Sequence, residues 1–483
     1  MTSETLNTVL TPTHCSRSVR SLLVRVLRSA GLAATVFLVI AGLRKNPNNT
    51  PPKEKGPSQM TERQRGLWTG LFFATLAIGL LIVTMGCKRQ RSDVYAFEPE
   101  PRSVIAQAGI TPSRYARVAA DWISSSTVYM LAVLGDSGKS RLAMLISSDG
   151  GDTFGAPVRV SEEGQTVTSA GEDSPAFIAT PNAIYAAWNE GGELRFARSV
   201  SWGESFEKPI KITDKTGKFF SGYPSLGVAP NQDVYAVWID TRDQVGDSDD
   251  NYSLYVARST NHGQSFGKNV RVAARICPCC RPTLTFGPKG ELVVFWRHVY
   301  EGPVRDMTFA VSTDNGQTFS APERVAEDNW KINGCPDSGP AVARSGKRVY
   351  VAWLTEASPQ MSGVRLTWSD DSGKTWAPAV MGSQNVLDAN YPALSVADDG
   401  TAVLVFQGRD PKTQGGWGKT AVYAVEISPR GDLSAPEVVP GITAPASRPT
   451  VAAGTGGRIY IAWTQNDAAK PTVFLSRARR QVQ

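Results

Sequence analysis

The octapeptide STDNGQTF, Ser312–Phe319, is where the fold becomes legible. It fits the frame S-x-D-x-G-x-[ST]-[FW], and that frame returns as SSDGGDTF (Ser147–Phe154), SVSWGESF (Ser199–Phe206), STNHGQSF (Ser259–Phe266) and SDDSGKTW (Ser369–Trp376). Ser201 and Asn261 replace the Asp in two copies, and SPRGDL, Ser428–Leu433, is a decayed sixth. One copy would carry little weight; five at blade-like spacing mark a structural repeat. The chemistry is that of a hairpin staple. The Asp or Asn side chain accepts backbone N–H bonds, the Gly supplies a left-handed residue, and the aromatic closes against a neighbouring sheet. Asp149, Asp314 and Asp371 are therefore read as scaffold rather than as catalytic acids.

Upstream of each staple lies a β-type run that mostly ends in Trp. The seven runs are TVYMLAV (from Thr127), AIYAAW (Ala183), DVYAVW (Asp233), ELVVFW (Glu291), RVYVAW (Arg348), TAVLVF (Thr401) and RIYIAW (Arg458), spaced by about 50 to 58 residues. That interval is the size of one four-stranded propeller blade. A further signature precedes the runs, an x-Pro step followed by small and apolar residues: SPAFIA (Ser174), YPSLGV (Tyr223), RPTLTF (Arg281), GPAVAR (Gly339), YPALSV (Tyr391) and RPTVAA (Arg448). Proline is tolerated at the first residue of a strand, where no ladder donor is yet needed.

The box closely resembles the Asp box, or BNR repeat, of sialidase-like β-propellers. The boxes carry the resemblance over Ser147–Trp376, and the strand repeats extend it to about Arg114–Arg477. It implies an all-β propeller of four-stranded antiparallel blades. Seven repeats favour seven blades, with six full blades and an appended half as the alternative. The last repeat stops one strand short, and a segment near Asp93–Gln107 is expected to supply the missing strand and remove an exposed edge.

The charge distribution separates a leader from this body. The chain of 483 residues has 51 Lys/Arg and 44 Asp/Glu; residues 1–87 hold ten and three of these, which leaves 41 of each in the remainder. A neutral body has no phosphate-binding footprint, so nucleic acid is excluded as a partner. The apolar run Leu67–Cys87, behind Arg63 and Arg65, has the length and flanks of a signal peptide or membrane anchor. Gly86-Cys87 resembles a lipoprotein cleavage site, with lipid on Cys87. Residues 1–59 form a doubtful N-terminal extension with a short hydrophobic segment, translation being expected to begin at Met60. Residues 60–87 are the signal or anchor, 88–110 a linker with the ring-closing strand, and 111–483 the propeller. The expected location is extracytoplasmic in the cell envelope, periplasmic or on the cell surface.

Antiparallel blades place the entry to each inner strand and the loop after each second strand on one face, and the Asp boxes on the other. The entry face gathers Tyr223, Arg281, Tyr391 and Arg448, with Asn189, Glu190, Asp240, Arg242, Arg297, His298, Glu356, Arg409 and Asp410 from the second-strand loops. The resemblance implies three Arg around a substrate carboxylate, a Tyr nucleophile activated by a Glu, and an Asp acid/base. The family's Phe-Arg-Ile-Pro start is absent, and no Tyr/Glu pair transfers by motif. A binding funnel for carbohydrate or an envelope protein is preferred to an exo-sialidase or related glycoside hydrolase.

CPCCRP (Cys277–Pro282) opens the fourth inner strand and NGCPDSGP (Asn333–Pro340) the fifth. Cys277, Cys279, Cys280 and Cys335 should therefore meet, with His298 nearby. Three readings stand: disulfides, which an oxidising compartment favours and one of which would join Cys335 to the first cluster; a copper or zinc ion held by thiolates; or a reactive thiol beside Arg275 and Arg281.

Overall fold

A computed structural model describes residues 95–104, 116–120, 126–135, 140–244, 252–412, 420–466 and 471–480. The extension, the apolar run and Cys87 lie outside the described residues. Within them the chain is all-β, and helix is limited to the 3-10 turns Pro359–Met361 and Thr455–Gly457.

The described strands form seven antiparallel sheets, each of which makes one blade. Blades 1 to 6 take their four strands from consecutive sequence, with inner strands at Ala116–Ala120, Ala176–Ala179, Ser221–Val228, Thr283–Phe286, Ala341–Ser345 and Leu387–Val396. Blade 7 is made differently. Its Ala446–Ala453, Arg458–Asn466 and Pro471–Arg480 come from the C-terminal region, and its outer strand is Tyr95–Phe97, paired with Pro471–Arg480 in the register Tyr95↔Arg480 and Phe97↔Ala478. Arg102–Ser103 adds a second pairing to the same edge. The expected ring closure is thus realised, and the six-blade alternative is excluded.

Seven hydrophobic clusters fill the seven blade interfaces. Each draws on the second and third strands of two neighbouring blades; one joins Tyr129, Leu131 and Met144 of blade 1 to Ile184, Ala186 and Trp188 of blade 2. The Trp that ends five of the second strands is the largest element of this core: Trp188, Trp238, Trp296, Trp353 and Trp463 are fully buried. Strand alternation places one face of every second strand against the preceding blade and the other against the following one, so these strands are apolar throughout.

The Asp boxes close the same interfaces from the rim. In the box of blade 4, Ser312 Oγ donates to Asp314 Oδ1 at 2.7 Å and accepts the Gly316 N–H at 2.8 Å, while Asp314 accepts the Thr318 N–H at 2.9 Å. The same bonds recur in the boxes led by Ser147 and Ser369. Asn261 and Ser201 reproduce the acceptor role for Ser265 and Ser205. The box aromatic inserts against the preceding blade, as Trp376 does against Phe295 and Phe309. Gly263 has a φ of 81°, and a Cβ there would lie 2.9 Å from Phe196 of blade 2. Glycine is required at that position by both conformation and space.

Candidate functional site

The x-Pro steps bring their residues together around the axis. Tyr223, Tyr391 and Arg448 have φ of 57°, 51° and 53°. A left-handed backbone on a bulky residue directly before proline is strained, and each is held there by its neighbours. The Tyr223 N–H donates to Asp173 Oδ1 at 2.7 Å, the Arg448 N–H to Gln407 Oε1 at 3.0 Å, and the Tyr391 N–H to Asn390 Oδ1 at 2.7 Å. The Arg281 N–H, in blade 4, donates to Glu172 Oε2 at 2.9 Å.

Glu172 is the hub. Its Oε2 also accepts the Gly339 N–H at 2.6 Å from blade 5, and its own N–H donates to Asp337 Oδ1 at 3.0 Å. Asp337 Oδ2 accepts the Tyr391 hydroxyl at 3.2 Å and lies 3.7 Å from Arg448 Nη2, whose guanidinium sits 5.2 Å above the Tyr391 ring. Four inner-strand entries, those of blades 4 to 7, are thereby tied to one loop of blade 2. Below the hub is a cavity of ≈ 190 Å³ lined by Glu172, Arg281, Ser225, Pro392 and Thr450.

Electrostatics follow from this crowding. Burial pushes the Glu172 carboxyl up to about 7, against the pull of the Arg281 charge and with a further push from Asp337. Burial likewise raises Tyr391 to about 12, and Asp337 adds to it. Tyr223 is raised further, by burial first and then by the Asp173 and Asp337 charges. A phenol surrounded by carboxylates is held protonated, the opposite of what an activated nucleophile needs.

Of the sequence-derived mouth residues, the structure brings together Tyr223, Arg281, Tyr391 and Arg448. Arg281 is turned inward: its Nε and Nη2 donate to the Glu172 carbonyl at 3.0 and 2.7 Å, and Nη2 also donates to Ser174. The others serve their own or adjacent blades. Asp240 accepts the Trp238 indole N–H at 2.8 Å and pairs with Arg242, which also reaches Asp214 and Asn269. Glu190 accepts the Trp188 indole, Asn189 binds Asp173, and Arg297 is buried against the Ser338 and Leu354 carbonyls. Arg409 pairs with Asp388, Asp410 accepts the Lys412 N–H, and Glu356 is exposed at the end of its strand. Glu172, Asp173 and Asp337 were missed. They precede the prolines at Pro175 and Pro340 by two or three residues, and alignment of the x-Pro steps two positions further upstream would have exposed them.

The cysteines meet as expected. Cys279 and Cys335 form a disulfide between blades 4 and 5, while Cys277 and Cys280 are buried thiols. Cys277, Cys279 and Cys335 carry sulfurs close enough for one ion, but the disulfide consumes two of the three. His298 stands apart from them, and this corrects its inclusion among the metal candidates. Its Nδ1 accepts the Trp296 indole N–H at 3.3 Å and its ring lies 4.5 Å from Tyr300. Alternation along the strand points His298 to one face and Arg297, which neighbours the cysteines, to the other.

Residues 232–423 match the model of the BNR repeat-like domain. No curated protein matches the chain. Similar solved structures include a protein of unknown function from Dyadobacter fermentans DSM 18053 (13% identity, 81% of this chain and 100% of that one, TM-score 0.46). Others are a polysaccharide lyase, the PL25 ulvan lyase (12%, 66% and 83%, 0.47), and the NanB sialidase from Streptococcus pneumoniae (12%, 79% and 71%, 0.42). The match to the BNR repeat-like domain thus covers residues 232–423, within a chain whose described strands form seven antiparallel blades with five boxes in frame.

Proposed function

We propose that the axial mouth binds a carbohydrate without turning it over, and that the propeller works in the cell envelope, tethered through residues 60–87 or lipid on Cys87. One observation carries the binding reading. Tyr391, Asp337 and Arg448 form a half-exposed cluster in which an aromatic ring, a carboxylate and a cation already hold one another. Sugar recognition uses such a set, the ring for the apolar face of the pyranose and the charged groups for its hydroxyls. An acid sugar clamp of three arginines has less support, because the Arg281 guanidinium is committed to blade 2. The test is a glycan array followed by calorimetry with the wild type and with Tyr391→Ala and Asp337→Asn. Saccharide binding lost in both variants is expected; an absence of binding to any saccharide by the intact wild type would sink the reading.

A second reading, glycoside hydrolysis, rests on Glu172, whose carboxyl near neutrality has the property of a general acid. It predicts turnover of a fluorogenic sialoside or arylglycoside that Glu172→Gln abolishes.

A further inference from the structure

We propose that the cysteine cluster is a thiol–disulfide exchange site. In it, Cys277 opens the Cys279–Cys335 staple and presents the Cys335 sulfur, on the protein surface, to a low-molecular-mass disulfide.

The geometry is that of an exchange centre. Cys277 Sγ lies 3.8 Å from Cys279 Sγ, and Cys280 Sγ lies 3.9 Å from it on the adjacent residue. Attack by a thiolate on a disulfide sulfur needs this proximity together with an ionised nucleophile and a good leaving thiol. The Asp337 N–H points at Cys279 Sγ from 3.3 Å, towards the sulfur under attack. Cys335, the leaving sulfur, is the exposed member, whereas Cys277 and Cys280 are 1% and 2% exposed.

The charge balance of the interior identifies the nucleophile. Arg297 and Arg305 are buried at 1% and 8% exposure, and their hydrogen bonds go to the carbonyls of Arg305, Ser338 and Leu354 and to Cys277 Sγ, which Arg305 Nη1 reaches at 3.1 Å. Neither forms an ion pair with a carboxylate among the described residues, and the Nε of each is without a partner. Two buried guanidinium groups require a counter-anion, and the Cys277 thiolate is placed to be one. The hydrogen bond from Cys280 draws the Cys277 thiol below its ordinary value, and the charges of Arg297 and Arg305 act in the same direction. A cysteine beside arginines is a thiolate nucleophile by the same physics that makes catalytic cysteines reactive.

The intramolecular exchange is redox-neutral, and in the second step the low-molecular-mass disulfide is the oxidant. Cys277 sulfur bonds to Cys279 Sγ as the Cys279–Cys335 bond breaks, and the electron pair leaves on Cys335, so one thiolate and one disulfide are exchanged for another thiolate and disulfide. The Cys335 thiolate then attacks a small disulfide, forming a mixed disulfide and releasing one thiolate of the reagent.

The experiment uses the full chain, purified without reductant and incubated with glutathione disulfide, then alkylated, digested and mapped by mass spectrometry. A glutathione adduct on Cys335 with a Cys277–Cys279 cross-link is expected. Cys277→Ser should lose the adduct while Cys280→Ser keeps it, with circular dichroism to verify folding of each. Wild-type protein whose Cys335 stays bonded to Cys279 and unmodified would overturn the proposal, without recourse to any variant. So would an adduct that is as abundant in folded Cys277→Ser.

Discussion

Asp337 Oδ1 accepts the backbone N–H of Glu172 at 3.0 Å across 165 residues of sequence, so a loop of blade 5 and a loop of blade 2 meet at the axis. The same Asp337 holds the Tyr391 hydroxyl, and Glu172 in turn holds the N–H groups of Arg281 and Gly339. Together these bonds join blades 2, 4, 5 and 6, whose sheets do not pair with one another.

Asp337→Ala should therefore destabilise the ring as well as weaken ligand binding. Leaving the Glu172 N–H and the Tyr391 hydroxyl without their acceptor should cost about 1–3 kcal/mol. Urea unfolding followed by Trp fluorescence measures it; an unchanged midpoint would show that the cross-axis link is ornamental.

Glu172 gives the fold a pH dependence of definite sign. Its carboxyl is held at about 7 in the fold, against an ordinary 4.5. The folded chain binds that proton more tightly, so the contribution is complete below pH 4.5 and is lost as pH rises through 7. Glu172→Gln keeps an acceptor for the two N–H groups and does not titrate. Between pH 5 and 8 the wild-type melting temperature is expected to fall relative to that of the variant; parallel curves would contradict the assignment.

The Asp boxes act at the other end of the scale. Hydrogen bonds from Thr318 and Thr375 hold Asp314 and Asp371 down to about 2, from an ordinary 3.8. Depressed carboxyls stabilise above their unfolded value, and that stability disappears as pH falls through about 2. Asp314→Asn combined with Asp371→Asn copies the natural Asn261 box, which has no proton to gain. The double variant should melt less steeply than the wild type as pH falls from 4 to 2, by circular dichroism.

Ring closure can be tested by excision. Deleting residues 95–103 removes both strands paired to Pro471–Arg480 and leaves that strand as an open edge. Self-association or aggregation on size-exclusion chromatography with light scattering is expected. A monomer of unchanged melting temperature would mean that the N-terminal strand contributes nothing to closure.

At the hub, Gly339 packs directly on Arg281. A Cβ at position 339 would collide with the Arg281 backbone and lie 2.9 Å from Glu172 Oε2. Since backbone cannot step aside as a flexible side chain does, Gly339→Ala should cost about 1–3 kcal/mol. Chemical denaturation would reveal it.

The repeats made the fold legible because they are local. A box needs only its own eight residues to form its Ser–Asp–Gly–Thr bonds, and a second strand announces itself by an apolar run ending in Trp, so the blade repeat and its order followed from spacing, while the choice of seven blades over six came from the pairing of Tyr95–Phe97 with Pro471–Arg480. The meeting of Cys279 with Cys335 was likewise deducible, because equivalent positions of adjacent blades must be neighbours. The hub was not. Glu172, Asp173 and Asp337 lie in irregular loops whose side-chain directions depend on which carboxylate captures which distant N–H, and Asp240, Glu190 and Arg242 read as mouth residues until their indole and carboxylate partners were seen. Sequence determined the blade repeat and its faces through short-range bonding and hydrophobic period. Only the tertiary structure decided which polar groups reach the axis, because that depends on satisfying buried N–H groups contributed by chain segments more than a hundred residues apart.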